Sequence, residues 1–188
     1  VYGFLFATPL LEGNIANAEN FMLLPVILAG YFVLSFSESK KNKYLVFAGV
    51  FLSIAFITKV VAIFDFAAFF IFLSIIFWDK YSKERKSLGV NFVTSQILFL
   101  ISFLSLFFTV CLYFLFNGAF SDFLNGVLSQ NLSYVNYENA FIFPMGILIL
   151  KSLLLMFILF FLVAKRRKIS WGDLFIYLWI AFSVYSAF

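Results

Sequence analysis

The chain has 188 residues, of which 64% are hydrophobic and only 12% are charged, and its net charge is +4. Globular domains carry roughly a quarter charged residues, so this composition excludes an ordinary water-soluble domain. No histidine is present and Cys111 is the single cysteine, which excludes imidazole catalysis, thiolate metal clusters and internal disulfides within these residues.

Apolar segments of membrane-spanning length recur along the chain, separated by short polar loops. They predict an all-α integral membrane protein with a single transmembrane domain. The architecture that we expect is a polytopic bundle of about six membrane helices. Residues 1–8 are expected to be the end of a further, truncated helix, so the chain is expected to be an internal fragment of a longer protein. The six helices are expected at about 21–37, 44–58, 60–78, 88–116, 141–164 and 171–188.

The first polar segment, 9–20, contains Asn17 and Glu19 and precedes a long apolar run. Carboxylates and carboxamides beside a membrane helix are costly unless they lie at the water boundary or line a cavity. One interpretation is an interfacial loop that caps the next helix. The other is a functional site, and the segment alone leaves both open.

The apolar stretch from Tyr44 to Trp78 has 35 residues. As one straight helix it would be about 50 Å long, whereas the hydrocarbon core of a membrane is about 30 Å thick. Because a basic loop flanks each end, both ends are expected on the same side of the membrane. The stretch is therefore predicted to cross twice, with Thr58 and Lys59 at the tip of the helix pair.

Eleven of the thirteen lysines and arginines fall in three short loops, which are therefore predicted to be cytoplasmic: 38–43, 79–87 and 165–170. The loops 9–20 and 117–140 contain no basic residue and are predicted to face outward, the second with a short amphipathic helix across 120–132. The two exceptions are Lys59 and Lys151. Lys151 lies within a predicted span, and we expect it to extend toward the outer interface.

Polar residues thus gather toward the predicted outer side, where Lys59 is accompanied by Glu19 and Asp65. An ammonium group can hold a phosphate, and a carboxylate can act as a base or a metal ligand. This mixture suits a substrate that joins a lipid-borne anion to a polar acceptor. Spacing alone does not establish such a site.

Two motifs and their order carry a family resemblance. The first is Ala16-Asn17-Ala18-Glu19 before an apolar span, and the second is Gly49 followed by Ala55-Phe56 and Thr58-Lys59. A later basic loop precedes Asp173 and Trp179. Nearly the whole chain resembles the central part of GT-C glycosyltransferases, in particular bacterial and archaeal relatives of dolichyl-phosphate-mannose-protein mannosyltransferase and lipid A aminoarabinose transferase.

The resemblance implies transfer of a sugar from a polyprenyl-phosphate carrier (undecaprenyl or dolichyl phosphate) to an acceptor at the outer face of a bacterial or archaeal cytoplasmic membrane. It implies that Thr58 and Lys59 lie near the carrier phosphate and that Asn17 and Glu19 lie at the lip of the cavity. The family's catalytic acidic residue is expected upstream of this chain, so no catalytic residue is assigned here. The expected partners are the lipid-linked sugar donor and membrane lipid, and not nucleic acid.

Three points stay open. No metal ligand is assigned, but the residues do not decide whether a divalent metal is required. They do not identify the sugar or its acceptor. The alternative function is a polyisoprenoid-lipid flippase or another multi-pass transporter, in which Asp65 and Lys151 would lie deep in the membrane and face each other.

Overall fold

The computed structural model describes residues 18–84, 88–129, 144–165 and 168–187. These residues are 92% helical and contain no strand. A short helix, Phe120–Leu124, continues directly into a π-helical turn, Asn125–Ser129, within the segment where an amphipathic helix was predicted. The helices are α1 (Ala18–Ser39), α2 (Lys43–Thr58), α3 (Ala62–Glu84), α4 (Leu88–Phe116), α5 (Phe120–Leu124), α6 (Pro144–Lys165) and α7 (Trp171–Ala187).

Within the described ranges, three helices are long and apolar enough to cross a membrane: Asn20–Ser39 in α1, Ala62–Asp79 in α3 and Val93–Phe116 in α4. The helix α2 is also apolar, but it has only 16 residues. The all-helical fold and these three helices support the prediction of a membrane protein. The number of about six spans and the GT-C architecture stay predictions.

The long apolar stretch is divided into α2 and α3 by the three residues 59–61. The division lies where the sequence predicted the chain to turn back. The amide of Lys59 donates to Ala55 O at 2.8 Å, and the amide of Ala62 donates to Lys59 O at 3.1 Å. These local hydrogen bonds satisfy backbone groups that would otherwise be costly to leave unpaired in an apolar environment.

Contacts between side chains show which helices run parallel and which run antiparallel. Phe66 of α3 stacks on Phe103 of α4, while Ser74, two turns later in α3, accepts a hydrogen bond from Gln96, two turns earlier in α4. The helices α3 and α4 are therefore antiparallel. By the same reasoning α7 is antiparallel to α3, since Phe64 contacts Tyr185 whereas Phe72 contacts Trp171.

The helix α1 runs parallel to α3, because its Gly30 lies beside Phe69 and its Phe36 contacts Phe77. The loop that joins α1 to α2 therefore lies at the same end of the bundle as the last turn of α3. That loop contains Lys40 and Lys41. Lys59, at the other end of α2, lies at the opposite end of the bundle.

Among the described residues, the largest side chains of the core are phenylalanine rings. Phe66 stacks on Phe99 and Phe103, with ring centroids 5.0 and 4.3 Å apart. In lipid, helices gain little from the hydrophobic effect when they associate, so close packing and interhelical hydrogen bonds supply the stabilisation. The largest fully buried aromatic side chains are Phe36, Phe69, Phe72 and Phe99.

The helices α2 and α4 approach each other closely at Gly49. A Cβ atom added there would lie 2.6 Å from Ser102 Cβ and 2.8 Å from both the carbonyl oxygen of Phe99 and the amide nitrogen of Phe103. Two of these three atoms belong to the backbone of α4 and cannot move without displacing the helix. The absence of a side chain at residue 49 therefore allows the α2–α4 contact.

We predict that Gly49→Ala destabilises the protein by roughly 1–3 kcal/mol, because the added methyl group overpacks this contact. The midpoint of thermal unfolding in detergent micelles measures the effect. Gly172→Ala is the matched control, since a Cβ at Gly172 in α7 meets no atom within 4 Å. Equal midpoints for the two variants would show that the α2–α4 contact does not depend on Gly49.

Candidate functional site

Thr58 and Lys59 lie at the end of α2, and both are half-buried. The backbone leaves the helix at Lys59, which is extended, with φ −153° and ψ 124°. The hydroxyl of Thr58 donates to Ile54 O at 2.9 Å. Its proton is therefore engaged within α2, and a ligand in this structure would meet the hydroxyl oxygen as an acceptor.

Asp65, in the first turn of α3, is a buried carboxylate with 8% of its surface exposed. The indole Nε1 of Trp179 in α7 donates to Asp65 Oδ1 at 2.6 Å. Trp179 also packs edge-on against Phe69, with ring centroids 5.4 Å apart. A carboxylate within a membrane-length helix is costly unless it is paired, and this hydrogen bond supplies a partner at the α3–α7 interface.

Lys151 is half-buried in α6 and lies beside α7. The hydroxyl groups of its neighbour Ser152 and of Tyr185 are 3.3 Å apart and form a hydrogen bond between α6 and α7. Tyr185 in turn packs against Phe64 of α3, with ring centroids 5.4 Å apart. Because Phe64 is only five residues after Lys59, these contacts place Lys151 toward the Lys59 end of the bundle.

The other predicted site residues are only partly covered by the structure. Asn17 lies outside the described residues, and so does the side chain of Glu19. Because α1 runs parallel to α3, the backbone of Glu19 lies at the same end of the bundle as Lys59. An approach of Glu19 to Lys59 stays a prediction.

The two predicted outward loops are also only partly covered by the structure. Residues 9–17 and 130–140 lie outside the described residues. Asn117 and Asp122 follow α4 and are exposed, as expected for residues at a water boundary. The α5 helix packs back on α4 through Phe123, whose ring stacks on Phe114 with centroids 4.6 Å apart.

A groove of about 610 Å³ separates parts of α6 and α7. Most of its wall is aliphatic or aromatic, and among the described residues of the lining Lys151 is the one with a charged side chain. The sequence does not predict this groove, because it depends on how two helices pack and not on either helix alone. The lining residues are Lys151, Leu154, Leu155, Ile158, Phe161, Leu162, Ile169, Tyr177, Ile180, Ala181, Val184 and Tyr185.

The sequence shows Asp65 and Trp179 but does not indicate that they pair. An isolated carboxylate in an apolar helix signals that a donor must lie nearby. The donor is 114 residues away in the chain, so spacing could not identify it. Among the described residues, no three histidine, cysteine, aspartate or glutamate side chains form a group that could hold a metal ion.

Comparison with known proteins gave no match to a family model, to a curated protein or to a solved structure. The resemblance to GT-C glycosyltransferases therefore depends on the motifs and their order along the chain.

We predict that Trp179→Phe destabilises the protein by about 1–3 kcal/mol, because Asp65 loses its indole donor and the smaller phenyl ring fills less of the space between Phe69 and Phe175. Thermal unfolding in detergent micelles measures the change. Trp78→Phe is the matched control, since Trp78 on α3 is 74% exposed. If the two variants unfolded at the same temperature, the hydrogen bond would contribute no net stability.

Proposed function

We propose that this chain is part of a membrane glycosyltransferase that transfers a sugar from a polyprenyl-phosphate carrier to a polar acceptor. The observation that carries the proposal is the position of Lys59, at a tight turn between two helices and at the end of the bundle opposite the basic α1–α2 loop. A half-buried ammonium group at a membrane boundary suits the phosphate of a lipid whose chain lies in the hydrocarbon.

In the proposed reaction an acceptor hydroxyl attacks the anomeric carbon of the sugar. The bond between that carbon and the phosphate oxygen breaks, and the carrier phosphate leaves with the bonding electron pair. The hydroxyl proton passes to a base that the described residues do not assign. Lys59 stabilises the negative charge that develops on the phosphate, as preorganised charged groups do in other enzymes.

Thr58 and Lys59 have different roles in this proposal. The Thr58 hydroxyl donates to Ile54 O of its own helix, so its proton is not offered to the carrier phosphate. Lys59 supplies the positive charge that faces the carrier phosphate. In the proposal, Asn17 and Glu19 lie at the lip of the cavity, as the sequence resemblance implies.

The position of Asp65 bears on the alternative of a lipid flippase or transporter. Coupling residues in transporters lie near the membrane midplane, in broken helices. Asp65 instead lies in the first turn of α3, and its carboxylate accepts a hydrogen bond from Trp179 across a packed interface. This arrangement favours a structural role for the carboxylate and so favours the enzyme.

We predict that Lys59→Met in the full-length protein slows sugar transfer roughly 30- to 700-fold, as follows from the loss of about 2–4 kcal/mol of charge stabilisation. Lys59→Arg is expected to restore only part of the rate, because a planar guanidinium does not reproduce a compact ammonium group. Transfer from a polyprenyl-phosphate-linked sugar in proteoliposomes measures the rates.

Lys41→Met provides the control, since Lys41 is exposed in the α1–α2 loop at the other end of the bundle. Its transfer rate is expected to be unchanged. Near-normal transfer by a well-expressed Lys59→Met variant would refute the role of Lys59. Loss of lipid translocation in that variant, with no transferase activity in the unmodified protein, would support the transporter instead.

A further inference from the structure

The turn that carries Lys59 is hydrogen-bonded directly into the first turn of α3. The amides of residues 62, 63 and 64 donate to the carbonyl oxygens three residues earlier in the chain, at 3.1, 3.0 and 3.0 Å. Bonds that span three residues form the tight 3₁₀ pattern found at helix ends. The backbone of Lys59 is therefore tied to the start of α3, and Asp65 is the residue that follows these bonds.

Asp65 in turn connects the start of α3 to α7 through a directed contact. Trp179 Nε1 donates to Asp65 Oδ1 at 2.6 Å, and the Asp65 side chain is buried. The indole ring packs between Phe69 and Phe175, whose ring centroids lie 5.4 and 5.7 Å away. A hydrogen bond depends on distance and angle, whereas apolar packing is non-directional. This bond therefore restricts how the first turn of α3 can rotate against α7.

The proposed role of Lys59 depends on where the turn lies. A charged group stabilises a transition state only if it is preorganised at the point where the opposite charge develops. A misplacement of about 1 Å can slow an enzyme about 100-fold. Lys59 leaves α2 with an extended backbone, and its carbonyl group is held by the amide of Ala62 in α3. A shift of the first turn of α3 would therefore shift Lys59.

The contact uses Asp65 as a hydrogen-bond acceptor. The indole N–H is a donor only, so it holds the carboxylate without exchanging a proton with it. A general base would have to reach the acceptor hydroxyl and take its proton, whereas Asp65 Oδ1 is directed at Trp179 across a packed interface. This geometry suits a residue that holds another group in place.

We propose that Asp65 and Trp179 are positioning residues for Lys59. Their hydrogen bond holds the first turn of α3, and with it the turn at 59–61, where the ammonium group meets the carrier phosphate. This inference rests on the proposed function for what Lys59 does. It adds the contact that keeps Lys59 in place, and in it Asp65 transfers no proton.

A double-mutant cycle separates positioning from a general effect on stability. In the full-length protein in proteoliposomes, Trp179→Phe is expected to slow sugar transfer roughly tenfold, which corresponds to a displacement of less than about 1 Å. In a Lys59→Met background the same substitution is expected to slow transfer less than about twofold, because the group that it positions is gone. Equal losses in the two backgrounds would overturn the inference, since independent effects multiply.

Phe72→Leu is the matched control for stability. Phe72 is fully buried in α3 and packs on Phe175 and Trp171 of α7, with ring centroids 5.0 and 6.3 Å away. Loss of this ring weakens the α3–α7 interface but leaves the Trp179 donor in place. We expect a lower unfolding temperature and an almost unchanged transfer rate. A loss of transfer as large as that of Trp179→Phe would assign the effect to stability alone and would contradict the proposal.

Asp65→Asn tests which property of Asp65 is used, and it gives a result even if Trp179→Phe does not fold. The carboxamide keeps an oxygen that can accept from the indole, but it carries no charge. Transfer close to that of the unmodified protein is expected. A loss as large as that of Lys59→Met would show that Asp65 acts through its charge, and the positioning role would be wrong.

A thiol at residue 59 reports the position of the turn without any sugar transfer. Lys59→Cys is made with Cys111→Ser, which removes the other thiol of this chain. In nanodiscs its reaction with a water-soluble maleimide is expected to become at least about threefold faster on Trp179→Phe, because a released turn opens more often. Trp78→Phe is expected to leave the rate unchanged, since Trp78 is exposed on α3.

The two proposals can fail separately. Equal thiol rates with and without Trp179→Phe would refute the positioning role, whatever the transfer assay shows. A faster thiol reaction together with normal transfer by Lys59→Met would refute the proposed role of Lys59 and keep the control of the turn by Asp65 and Trp179.

Discussion

The hydrogen bond from Trp179 to Asp65 is the contact on which much of this arrangement depends. It ties α7 to the first turn of α3, immediately after the turn that carries Lys59. The helix α7 is also one wall of the groove. This polar contact therefore joins the helix that follows Lys59 to the helix that forms one wall of the groove. In an apolar surrounding such a contact is difficult to replace, because an unpaired carboxylate there is costly.

Aromatic packing holds the remaining helices around this contact. The rings of Phe69 and Phe175 lie on either side of the α3–α7 interface, with centroids 4.9 Å apart, and both contact Trp179. The α2–α4 interface combines a glycine that lets the two backbones approach with Phe56, whose ring packs on Phe103 and Phe107. Aromatic rings at both interfaces, and Gly49 at the second, give close packing where the hydrophobic effect contributes little.

The two lysines that fall outside the basic loops are related by this packing. Lys59 lies at a backbone turn, and Lys151 lies on a helix wall, yet contacts through Phe64, Tyr185 and Ser152 connect their surroundings. Both lysines are half-buried, and both lie toward the same end of the bundle.

The sequence by itself determined the helical membrane character and the break near Lys59. Hydropathy and length depend only on local composition, and a 35-residue apolar stretch with basic ends is too long for one crossing. Only the tertiary structure decided that Trp179 is the donor to Asp65, that the Thr58 hydroxyl is engaged within α2, and that Lys151 borders a groove. The pairing of Asp65 with Trp179 and the groove join residues far apart in the chain, and the Thr58 contact depends on a rotamer. Hydrophobic patterns specify which residues enter a membrane helix, but not which face of that helix packs against which neighbour. The groove exists because of how the faces of α6 and α7 pack.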